Sequence, residues 1–106
     1  MPADPILIVD TVLAGPFALV TPAGEIDVDT APDLRRALHR CLHHRSAELH
    51  VDLYAVRFCD CRGLDAFLSA RRRARALDAL VVLHEVPPIV AELLDVTGTR
   101  HLFTVL

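Results

Sequence analysis

Four of the twenty residue types are missing from this sequence of 106 residues, which contains no Lys, Asn, Gln or Trp. Its aromatic share is only 5%. Because large aromatic side chains are scarce, the core of the fold has to be built from aliphatic residues. All 11 basic residues are Arg, which we interpret as codon bias in the source genome.

Long apolar stretches are missing as well. The longest uncharged run, residues 11–24, is interrupted by Gly15, Pro16 and Pro22 and is too short to cross a bilayer. The four Gly residues form no phosphate-binding loop. No signal peptide is visible, and the three Cys cannot all pair within the chain. We therefore expect a reduced cytoplasmic protein without membrane insertion.

Charge is distributed unevenly along the chain. Six acidic residues and no base precede Arg35, whereas 11 Arg and eight acidic residues lie from Arg35 onward. The net charge of −3 argues against a nucleic-acid partner. A hydrophobic share of 53% excludes disorder, and the length predicts a single domain over residues 1–106.

Hydrophobic periodicity predicts an α/β fold with the order β-β-α-β-α-β-α-β. The predicted elements are strands at 5–9 and 17–20 (extended by 23–26), a helix from Thr30, a strand at 49–53, a helix with its apolar stripe at 63–77, a strand at 79–83, a helix from Pro87 to Gly98 and a strand at 102–106. We interpret residues 56–63 as a connection. The N-terminal hairpin and the alternating remainder together predict a mixed sheet.

Two helices carry recognisable end signals. Thr30 is the predicted N-cap of the first helix, and Asp33 suits the positive end of its dipole. Gly98 is the predicted C-cap of the third helix. In the second helix we expect Leu64, Phe67 and Leu68 to lie in the core.

Candidates for metal or redox chemistry are weak. His39 and His43 are four residues apart and Cys59 and Cys61 two apart, but neither spacing matches a known zinc motif. The polar face of the first helix accounts for both His. Cys61 precedes a helix and lies beside Arg62, an environment that favours a reactive thiol. We expect no metal, no cofactor and no enzymatic activity.

Three ordered segments carry a family resemblance. They are residues 24–34, which begin Gly24-Glu25-Ile26-Asp27; residues 51–64, which end Asp60-Cys61-Arg62-Gly63-Leu64; and residues 93–103, which contain Thr97-Gly98 before Leu102-Phe103. This set resembles the STAS domain, in particular the bacterial anti-sigma factor antagonists. The resemblance covers nearly the whole chain and implies a mixed sheet with helices packed on it.

The resemblance implies partner switching. Such proteins bind an anti-sigma factor, often a Ser/Thr kinase of histidine-kinase-like fold, and so release a sigma factor that regulates transcription. Phosphorylation of a Ser or Thr in the loop before the second helix stops this binding. The residues that match the partner-binding and switch positions are Asp27, Asp60, Cys61, Arg62, Gly63 and Leu64. Arg62 stands at the phosphoacceptor position, where it cannot accept phosphate.

Two functions stay open from the sequence. The first is an antagonist that binds its partner without phosphate control at position 62. The alternative is a STAS subunit of another assembly, such as a stress-sensing or a lipid-transport complex. Homodimer formation, phosphorylation of Ser69 and a nucleotide ligand also stay open. Many family members continue with a helix after the last strand, so we expect a more open flank here.

Overall fold

A computed structural model describes residues 7–106. Its elements are β1 (Leu7–Ala14), β2 (Phe17–Ile26), α1 (Ala31–His43), β3 (Glu48–Asp52), β4 (Val56–Cys59), α2 (Cys61–Ala76), β5 (Leu80–His84), α3 (Pro88–Thr97), a 3₁₀ turn (Arg100–Leu102) and β6 (Thr104–Val105). The predicted mixed α/β fold is confirmed. The predicted first strand at 5–9 is described only from Leu7 onward.

The six strands form one mixed sheet in the order β1-β2-β3-β5-β6, with β4 also pairing with β2. A two-residue turn at Gly15 and Pro16 joins β1 to β2 in an antiparallel hairpin. The remaining strand pairs are parallel. The first half of β2 pairs with β3, and its last residues pair with β4. The carboxyl ends of β2 and β4 therefore meet at one end of the sheet.

One face of the sheet packs against the helices and forms the core. Alternate residues of β2 and β3 are buried there, including Val20, Ile26 and Val51. In α2, Leu64 and Phe67 are buried as predicted, and Leu68 is partly buried against the same cluster. Within residues 7–106, no helix is both long and apolar enough to cross a membrane.

The structure adds one strand to the predicted order. Residues 56–59, which the sequence pattern assigns to a connection, form β4 and pair with the last residues of β2. This strand has only four residues, and Arg57 and Phe58 are exposed between two buried ends. It therefore lacks the alternation by which half-buried strands are recognised.

Candidate functional site

Asp27 and Asp60 lie next to each other at the carboxyl ends of two paired strands. Ile26 of β2 is in register with Cys59 of β4. The ladder ends where the backbone N–H of Asp60 donates to the carbonyl of Ile26 at 3.2 Å. Each aspartate directly follows one of these paired residues, so the sheet brings together two residues that are 33 positions apart in sequence.

Asp60 is the N-cap of α2. Its Oδ1 accepts hydrogen bonds from the backbone N–H of Arg62 at 2.9 Å and of Gly63 at 3.2 Å. Two otherwise unpaired N–H groups of the first turn are thereby satisfied. Residues 61–63, which the sequence pattern assigns to a connection, are therefore part of the first turn of α2.

The carboxylate of Asp27 organises the turn before α1. Its Oδ1 accepts from the backbone N–H of Asp29 at 2.9 Å and of Thr30 at 3.1 Å. Thr30 is the N-cap residue by position, as predicted, but its hydroxyl makes no cap hydrogen bond with α1. It donates instead to the carbonyl of Glu25 at 2.8 Å and accepts from the N–H of Asp27 at 2.9 Å.

The two aspartates share one arrangement that matters for binding. The backbone N–H groups that bond to the two carboxylates all donate to Oδ1, and no described residue donates to Oδ2 of either one. Both residues are only partly buried. Each carboxylate is therefore held rigidly by its own turn and still has an oxygen available for a partner's donor.

The other predicted site residues fall into two groups. Cys61 and Arg62 are exposed, whereas Gly63 and Leu64 are buried beneath them. Gly63 lies where α2 approaches the strands, because a Cβ there would be 2.5 Å from Sγ of Cys59 and 2.7 Å from Cγ2 of Ile26. Gly63 and Leu64 therefore position the first turn and are not accessible to a partner.

A groove of about 330 Å³ separates the first turns of α1 and α2. We call it the α1–α2 groove, and its lining residues are Val28, Ala31, Pro32, Arg35, Arg62, Asp65 and Ala66. Among the described residues, neither Arg35 nor Arg62 forms an ion pair. The sequence pattern does not reveal Arg35 as a site residue, because its proximity to Arg62 depends on how the two helices pack.

A polar contact joins the same two helices further along. His39 of α1 and Ser69 of α2 make a hydrogen bond of 2.8 Å between Nε2 and Oγ. Burial lowers the pKa of His39, and Arg35, Arg73 and Arg72 lower it further by charge repulsion. Ser69 is only 7% exposed, so its hydroxyl is covered in the folded protein.

The three cysteines differ in burial, and burial raises the pKa of two of their thiols. All three are free, and only Cys61 is exposed. Burial raises the pKa of the Cys59 thiol to about 12, so this side chain stays protonated. Within residues 7–106, no three His, Cys, Asp or Glu side chains are placed to hold a metal ion. Nε2 of His39 is hydrogen-bonded to Oγ of Ser69.

The family follows from a comparison with protein-family models. Residues 17–105 match the model described as "Mlab, STAS domain". The chain belongs to the STAS domain family. The matched region runs from the start of β2 to the end of β6 and so includes Asp27 and the first turn of α2.

Two curated relatives and one solved structure that resemble this chain are named as anti-sigma factor antagonists. An anti-sigma-B factor antagonist of Staphylococcus epidermidis is 28% identical over 92% of this chain and 90% of its own length. Another from Listeria monocytogenes is 30% identical over 78% of this chain and 73% of its own length. An anti-sigma factor antagonist from Mycobacterium paratuberculosis superimposes with a TM-score of 0.83, 22% identity and coverage of 93% and 84%. This STAS chain therefore shares its fold with antagonists.

Proposed function

We propose that this STAS protein is an anti-sigma factor antagonist that regulates transcription by binding an anti-sigma factor. Its candidate surface consists of Asp27, Asp60, Cys61 and Arg62. The observation that carries the proposal is the placement of these four residues together at the ends of β2 and β4, with two anchored carboxylates and two exposed side chains. The names of the relatives support the same function.

We further propose that phosphorylation does not control this surface. The first turn of α2 contains no hydroxyl, and the nearest one in the helix, at Ser69, is buried against His39. Arg62 is exposed at the position that resembles the phosphoacceptor of the family. A guanidinium carries a charge opposite to that of a phosphate group, so binding in this form is constitutive.

The proposed mechanism needs no catalytic group. The protein acts as a binding module in the bacterial cytoplasm, where transcription takes place. An anti-sigma factor that docks on the candidate surface is unavailable to its sigma factor. A kinase-type anti-sigma factor could not phosphorylate position 62, because Arg62 has no hydroxyl. It would therefore stay bound to the STAS protein.

Release of a sigma factor tests the proposal. Each anti-sigma factor of the host is purified with its sigma factor and titrated with the STAS protein. We expect one complex to release sigma, Arg62→Glu to abolish that release and Arg75→Glu to retain it. Arg75 is a matched control because it is an exposed Arg at the far end of the same helix. Equal release by both variants would contradict the assigned surface.

Phosphorylation is tested with a kinase-type partner and labelled ATP. The wild-type protein should take up no phosphate, whereas Arg62→Ser should become phosphorylated and lose binding. Phosphate on the wild-type chain, at Ser69 or elsewhere, would refute constitutive binding. If no host anti-sigma factor binds while the protein co-purifies in a stress-sensing or lipid-transport complex, the alternative function replaces the antagonist.

A further inference from the structure

The outer edge of β1 is a long strand edge without obvious protection. β1 has eight residues, pairs in unbroken register with β2 and has no described partner on its other side. Asp10 is its only charged residue, and it contains no Pro. Charges, prolines and bulges are the usual means by which edge strands avoid pairing with another chain. The opposite edge strand, β6, has only two residues.

The geometry of the hairpin shows which backbone groups face outward. In a hairpin with a two-residue turn, the residues that flank the turn form a hydrogen-bonded pair. Ala14 and Phe17 flank this turn, so every second residue back from Ala14 bonds to β2. The N–H and C=O groups of Val9 and Thr11 therefore point away from β2. Pro22, which has no N–H, is paired with Val9 as this pattern requires.

Helix α1 carries charges of opposite sign at two positions beside this edge, Asp33 and Arg40. Asp33, Arg36 and Arg40 line a cleft of about 450 Å³ between α1 and β1. Arg36 also donates to Asp33 within the helix. β3, which follows α1, is parallel to β2, so α1 runs antiparallel to β2 and in the same direction as β1. A two-fold axis that pairs two β1 strands antiparallel would thus also set two α1 helices antiparallel.

We propose that this protein forms a homodimer in which the β1 edges of two copies pair antiparallel into one continuous sheet. An antiparallel strand pair is self-complementary, as a two-fold interface requires. The same axis sets Asp33 of each copy against Arg40 of the other, while Arg36 stays paired with Asp33 of its own helix. Leu13, which is 49% exposed at this edge, becomes covered. The proposal is independent of the anti-sigma factor function.

The mass of the full chain in solution tests the dimer. Light scattering after size exclusion should give about twice 11.7 kDa at micromolar concentrations. Thr11→Pro removes an outward N–H without touching the β1–β2 ladder, and it should give the monomer mass with an unchanged circular dichroism spectrum. Leu19→Lys is the control, because Leu19 lies 40% exposed on the open face of the sheet. It should leave the dimer intact.

A charge exchange tests the pairing even if Thr11→Pro fails to fold. Asp33→Arg and Arg40→Asp should each be monomeric alone, because both contacts in a homodimer then join like charges. Mixed in equal amounts, they should form a heterodimer with both contacts restored. A wild-type protein that stays monomeric, or a mixture that does not associate, would overturn the proposal. So would loss of the dimer in Leu19→Lys alone, which would assign the contact to the open sheet face.

Discussion

Gly63→Ala tests whether the first turn of α2 is held by close packing against the sheet. The added Cβ would lie 2.5 Å from Sγ of Cys59 and 2.7 Å from Cγ2 of Ile26. Both neighbours are in the core, with exposures of 4% and 0%. Sγ of Cys59 can move only by a χ1 rotation inside the packed core, and Ile26 is branched at Cβ, so relieving the contacts requires the core side chains to repack or α2 to shift away from β2 and β4.

Two effects of opposite sign decide how much Gly63→Ala changes the free energy of unfolding. Overpacking a buried site costs about 1–3 kcal/mol, and two contacts below 3 Å favour the upper half of that range. Alanine is better than glycine inside a helix by about 1 kcal/mol. We therefore expect a net loss of about 1–2 kcal/mol in the free energy of unfolding, or about 4–16 °C in Tm for a domain near this size.

Thermal and urea unfolding followed by circular dichroism measure this loss, since the chain has no Trp. A double-mutant cycle with Cys59→Ala shows its origin. Removing Sγ should recover about 1 kcal/mol of the Gly63→Ala cost, with the remainder due to Ile26. If Gly63→Ala is as stable as the wild type, or if Cys59→Ala recovers nothing, the close approach of α2 to the strands is not what requires glycine.

Two further predictions concern stability. Phe67→Ala should lower the free energy of unfolding by about 3–5 kcal/mol, because Phe67 is 1% exposed; Leu68→Ala, at a partly buried site on the same helix, should cost less in the same urea titration. The pKa of His39 is lowered in the folded state, so the unfolded chain binds the proton more readily and stability should fall as pH drops below about 6.5. His39→Gln should remove part of this fall in Tm between pH 7.5 and 5, and an unchanged pH profile would contradict the burial of His39.

The sequence predicted the elements whose periodicity is local. The apolar stripes of α1 and α2, the hairpin turn at Gly15 and the left-handed Gly98 after α3 all follow from residues within one or two turns of each other. The strand β4 was missed because its identity depends on pairing with β2, some 30 residues earlier. Its short sequence does not alternate, so only tertiary structure selects the extended conformation.

In the candidate site, too, features that depend on nearby residues differ from features that depend on tertiary packing. Asp27 and Asp60 were selected by family resemblance, and the structure explains both through hydrogen bonds to nearby backbone N–H groups. Thr30 does not cap α1 with its side chain, because its hydroxyl donates to the carbonyl of Glu25, a group outside the helix. Arg35 could not be predicted, since its position beside Arg62 depends on the packing of α1 against α2.

The unequal burial of the three cysteines makes the protein suited to site-specific labelling. Cys41 and Cys59 are buried, and burial raises the pKa of both thiols. Thiolates, not thiols, react with maleimides, so one equivalent of reagent should modify Cys61 alone in the native protein. A fluorophore at that position would sit next to Arg62, in the centre of the candidate surface. The unaltered sequence thus already contains a reporter attachment point for measuring what docks there.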